Sequence, residues 1–67
     1  MEDFKEDIKS VCAEHGRKIS EEEAEEINTA LNDLVTDYVA KDDMDEDEAI
    51  SMISDNFWDF VRNMLDD

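Results

Sequence analysis

The chain has 67 residues, 22 of them acidic and 6 basic, for a formal charge of −16 with 40% apolar residues. That length supports one domain. No run approaches the ~18 uncharged apolar residues of a membrane span. No basic patch leads into an apolar stretch at Met1-Glu2-Asp3-Phe4-Lys5, so a secretory leader is not expected. Direct nucleic-acid binding is not expected either, because phosphate contacts need Lys and Arg.

With no proline and a single glycine, the turn signals of a β protein are missing. Helical spacing occurs three times instead. The first segment covers about 3–15, where Phe4, Ile8, Val11, Cys12 and His15 share one face. Gly16 can take the left-handed conformation that ends a helix. Arg17 and Lys18 follow near the negative end of its dipole.

The second predicted helix covers about 21–41. Ser20-Glu21-Glu22-Glu23 reads as a capping box, with Ile19 and Ala24 spaced as a hydrophobic staple. Ala24, Ile27, Leu31, Leu34, Val35 and Tyr38 mark its apolar stripe. Asp42-Asp43-Met44 breaks the pattern. Asp45, with Glu48 three residues on, reads as a second box that opens a third helix over about 46–65. Its stripe is Ala49, Ile50, Ile53, Phe57, Phe60, Val61 and Met64. Ser54-Asp55-Asn56 is the weak point, since Ser54 can cap a new helix there; a continuous helix is expected. The fold class is all-α, a single three-helix domain.

Leu, Ile, Val and Phe make up about 22% of the chain, just above the ~20% level expected of disordered, highly charged chains. So thin a core usually needs support from disulfides, metals or self-association. Cys12 is alone and metal-ligand clusters are missing, so a homodimer is expected, and the lone thiol fits a reducing, cytoplasmic compartment.

Three chemistries are suggested by residue type. Cys12 and His15 are helical neighbours, the spacing of a thiolate–imidazole pair. Both lie on or beside the apolar stripe, and no glycine-rich loop offers an oxyanion site, so core and boundary roles are expected. Asp43, Asp45 and Asp47 match positions one, three and five of a calcium loop. Glu48 then stands where glycine is needed, and Ser54 where a bidentate Glu is needed. Paired carboxylates for acid–base work are unavoidable among 22 acids and so carry no signal. The expectation is a non-enzyme without cofactor or metal.

The acids become informative on helical wheels. Glu22, Glu25, Glu26, Asp33 and Asp37 fall opposite the second helix's stripe. Glu48, Asp55, Asp59 and Asp66 fall opposite the third, with Arg62 among them. Residues 1–20 have five acids against four bases, while residues 21–67 have 17 against two. Solubility alone asks for a charge magnitude of about 2–8 in a small domain. Like charges at i and i+4, such as Glu22/Glu26 and Asp33/Asp37, destabilise a helix. A 20-residue helix is ~30 Å long, and that length of duplex carries roughly 18 phosphate charges. The chain's −16 is of that order, which makes mimicry of DNA feasible. Met52, Trp58 and Leu65 lie off the centre of the third stripe and are candidates for a dimer seam or a docking patch, with Trp58 equally placed to cover the edge of the monomer core.

In size, in the run Ser20-Glu21-Glu22-Glu23-Ala24-Glu25-Glu26, in the Asp42–Glu48 cluster and in its acidic stripes, the chain resembles the small acidic helical proteins that phages make against bacterial defences. These include DNA mimics that block restriction enzymes and acidic inhibitors of CRISPR or BREX systems. The resemblance implies a non-catalytic inhibitor that occupies a basic surface on a DNA-handling or ATP-using defence protein in the host cytoplasm. Two modes are open: carboxylates in place of phosphates, or steered docking through an apolar patch near Trp58 that blocks assembly of the target. The alternative is an acidic adaptor or antitoxin-like regulatory subunit with a dedicated cellular partner.

Overall fold

A computed structural model describes residues 3–65. Four helices follow one another: α1 (Lys5–Glu14), α2 (Glu21–Lys41), α3 (Glu46–Asp55) and α4 (Phe57–Leu65). Among the described residues there is no strand, and no helix is long and apolar enough to cross a membrane.

At the start of α1, the Lys5 N–H donates to the Asp3 carboxylate (3.0 Å) and the Phe4 N–H donates to Asn28 Oδ1 (2.8 Å). The helix ends as predicted at Gly16, where φ is +71°. There the Arg17 N–H reaches the Cys12 carbonyl (2.8 Å) and the Gly16 N–H reaches that of Ala13 (3.0 Å), the paired bonds of a Schellman motif. The Ser20 box of α2 is complete. Ser20 Oγ accepts from the Glu23 N–H (3.1 Å), and Glu23 Oε1 accepts from the Ser20 N–H (3.0 Å). Beyond Lys41 the chain reverses through Asp43, whose φ of +55° is left-handed, and the Met44 N–H bonds the Tyr38 carbonyl (3.3 Å).

Two expectations fail in the second half. Asp45 does occupy the N-cap position of α3 with extended backbone, but its side chain makes no capping bond, so the second capping box does not form. More consequentially, the helix expected over 46–65 is two helices, and the domain has four helices rather than three. Spacing favours a break. The fully buried residues Ala49, Ile53 and Val61 are separated by multiples of four. Each such step advances about 40° around a straight helix, so about 120° separates Ala49 from Val61. An unbroken helix would spread the three over about a third of its circumference, at the wide end of what one core-facing stripe covers. Asn56 re-aims the chain by leaving helical geometry (φ −120°, ψ 32°). Its Nδ2 donates to the Met52 carbonyl (3.3 Å), and its own carbonyl accepts from the Phe60 N–H (3.1 Å). The residues flagged as the weak point therefore do contain the break, one residue past the α3 end at Asp55.

α2 is the central element and packs against α1, α3 and α4. Phe4 with Asn28, Lys5 with Glu25 and Lys9 with Glu21 set α1 antiparallel to α2. The core takes Phe4, Ile8 and Cys12 from the first segment and Ala24, Ile27, Leu31 and Val35 from α2. Ala49 and Ile53 come from α3 and Val61 from α4. No charged or polar residue is buried among the described residues. Measured on Cα atoms, the body is 35 × 20 × 20 Å.

Candidate functional site

The predicted acidic face divides into four groups. Glu22, Glu26, Asp33 and Asp37 lie along the side of α2 opposite its buried Ala24–Val35 stripe, and all four are exposed. They form a ridge of about 22 Å along the helix axis. The ion pairs of Lys5, Lys9 and Arg62 involve none of them. Glu25 stands on the flank toward α1, where Lys5 Nζ lies 3.7 Å from it. Asp59 pairs with Arg62 on α4 (3.4 Å). Glu48 and Asp55 are exposed on the outer side of α3, on either side of half-buried Met52. The structure thus brings four of the eight named acids into one line and puts the rest elsewhere. Asp66 lies outside the described residues.

Two of the bases, Lys5 and Lys9, are used at the α1–α2 seam. Lys5 lies 3.5 Å from Glu21 and Lys9 lies 2.6 Å from it. The Lys9 hydrogen bond is the main cause that holds the Glu21 carboxyl below the usual glutamate range, helped by the charges of Lys9 and Lys5. The near-neutral first twenty residues are a structural partner for the first turns of α2. The remaining negative charge is left on the outside.

The apolar candidates are placed differently from one another. Trp58 is half-buried against the core, and its indole stacks on the His15 imidazole with centroids 4.0 Å apart and planes 2° apart. Leu65 is also half-buried against the core. Met52 is half-buried but is not part of that packing. Two of the three residues named for a seam thus help close the single chain. Phe4 and Phe57 make a further tilted ring contact at 6.1 Å.

His15 and Cys12 are not arranged as a nucleophile and its base. The thiol is fully buried while the imidazole is exposed and stacked on Trp58. Burial pushes the Cys12 pKa up, against a smaller opposing effect of the Arg17 charge, whereas an activated thiolate needs the reverse. Asp43, Asp45 and Asp47 are exposed, and among the described residues no three His, Cys, Asp or Glu side chains converge on a point that could hold a metal ion.

Sequence reading missed Asn28. Its side chain ties the start of α1 to α2 and its carbonyl accepts from Asn32 Nδ2 (2.9 Å). The available signal was its place four residues after Ala24, at the edge of the stripe. Also missed was a shallow groove of about 350 Å³ between α2 and the end of α4, lined by Glu23, Glu26, Ile27, Ala30, Met64 and Leu65. Comparison with protein-family models, with curated proteins and with solved structures gives no match to this chain.

Proposed function

We propose that this protein is a non-catalytic acidic inhibitor that occupies a basic, phosphate-binding surface of a DNA-processing or defence protein of restriction, CRISPR or BREX type, in the bacterial cytoplasm. The observation that carries the reading is the α2 ridge of Glu22, Glu26, Asp33 and Asp37, exposed and left out of the lysine pairs that neutralise its neighbours. Each like-charged pair at i and i+4 costs about 0.2–0.5 kcal/mol of helix stability. A domain with a thin core keeps two such pairs on its central helix.

The dimensions support the same reading. A formal −16 on a body 35 Å long is roughly one charge per 2.2 Å, against one per about 1.7 Å for duplex DNA. A field of that density steers association with a cationic cleft. The ridge alone holds four carboxylates where about 22 Å of duplex holds roughly 13 phosphates. The ridge therefore supplies the aligned contacts and the rest of the surface supplies the field. Trp58, held against His15 and the core, is less suited to be the main anchor.

The test is phage plating on bacterial strains that each carry one restriction, CRISPR or BREX system, with and without this protein. At least a tenfold rise in plaquing on one of these strains is expected. Unchanged plaquing on all of them, with the folded protein present in the cells, overturns the proposal.

A further inference from the structure

The groove between α2 and α4 differs from the ridge in chemistry. Ile27, Ala30, Met64 and Leu65 line it with apolar side chains, and Glu23 and Glu26 line its α2 rim with carboxylates. Glu22 stands one residue before that rim and is exposed. The Glu23 carboxylate also serves the capping box, which fixes its position at the mouth. From Glu23 to Ala30 the groove follows about 10 Å of helix, the rise between positions i and i+7. Its volume of about 350 Å³ suits two or three aliphatic side chains. Met64 contributes an unbranched, polarizable chain that adapts to different shapes.

We infer that this groove receives a basic amphipathic helix of the partner, whose apolar residues at i, i+3 or i+4, and i+7 enter it while flanking Lys or Arg side chains meet Glu23 and Glu26. Charge complementarity selects this occupant. An apolar slot edged by carboxylates, on a molecule of −16, repels acidic segments and favours a cationic one. The inference deepens the proposed function and rests on it. It specifies that the cationic surface includes a helix, the element that many DNA-binding proteins place in the major groove.

The experiment uses two fluorescein-labelled peptides of identical Leu and Lys composition. One is patterned as an amphipathic helix and the other is scrambled so that no apolar face forms. Anisotropy titrations at about 150 mM salt, where exposed charges are screened beyond ~8 Å, compare their affinities. The patterned peptide is expected to bind at least tenfold more tightly. Methyl spectra of the protein labelled at methionine should show Met64 shifting, with Met44 and Met52 unchanged. Ala30→Gln adds bulk to the groove without changing charge, and should weaken the patterned peptide at least tenfold. Asp33→Asn with Asp37→Asn, on the ridge, should weaken both peptides equally and by less. Equal affinity for the two peptides, or methyl shifts at Met44 or Met52 in place of Met64, overturns the inference. The plating result is read separately: a rise in plaquing that survives Ala30→Gln overturns the groove alone, and no rise with the unaltered protein overturns the inhibitor reading itself.

Discussion

Cys12 lies one helical turn from the only histidine, and its chemistry is decided by what surrounds it. The thiol is fully buried between Ile8 and the rest of the core, and burial raises its pKa, so thiolate is scarce at neutral pH. Labelling with a thiol reagent should proceed only as fast as the domain opens, and should become rapid in denaturant. Rapid labelling of the native protein contradicts the buried placement. Asp43 makes the opposite point at the surface. Its left-handed backbone (φ +55°) suits glycine better than any residue with a Cβ. Asp43→Gly should stabilise the domain by about 0.5–1 kcal/mol, or a few degrees in Tm. Asp43→Asn serves as the control for loss of charge alone. A lower Tm for the glycine variant contradicts the role given to this turn. Gly16 was legible because glycine announces such a conformation. Asp43 was not, because an aspartate in an acidic run looks like any other.

Among the helices, what could be read depended on whether a feature was local. The Ser20 box and the stripe of α2 involve residues within one or two turns, and both formed. The Asp42–Met44 break is equally local. The division of α3 from α4 is not. Ala49, Ile53 and Val61 fit one stripe by residue type, and only their strict spacing by fours shows how far a straight helix would turn Val61 from Ala49. The partners of α1 were also hidden, since Lys5 and Lys9 acquire meaning only once α1 lies antiparallel to α2. That seam gives a paired prediction. Glu21 has a depressed pKa, so its contribution is present above the unfolded carboxylate's value of about 4.3 and is lost as pH falls through the lower folded value. Glu21→Gln should therefore lower Tm at pH 7, with the gap from the unaltered protein closing in acid. Asp33→Asn removes the same charge from the unpaired ridge and should raise Tm at pH 7. Thermal melts at a series of pH values check both, and equal shifts for the two variants contradict the distinction between seam and ridge.

On the scale of the whole molecule, charge opposes compaction. Every acid among the described residues is exposed, and Lys5 and Lys9 meet α2 at one seam. Screening relieves the repulsion on the rest of the surface, so Tm should rise as salt increases from about 10 mM to 150 mM, where the Debye length shortens from ~30 to ~8 Å. A falling Tm contradicts this balance. Helical wheels foresaw the ridge because an exposed face needs only the period of its own helix. They did not foresee that Glu25 turns to Lys5, Asp59 to Arg62 and Trp58 to His15, because each of those depends on a neighbour. The proposed function requires an aligned negative surface to act on a partner. The most direct measurement is the plating assay with Glu22→Gln, Glu26→Gln, Asp33→Asn and Asp37→Asn combined. These changes keep side-chain size and helix and remove four charges. This variant should fold, melt higher than the unaltered protein and lose at least tenfold of the gain in plaquing. A folded variant that retains the full gain contradicts that requirement.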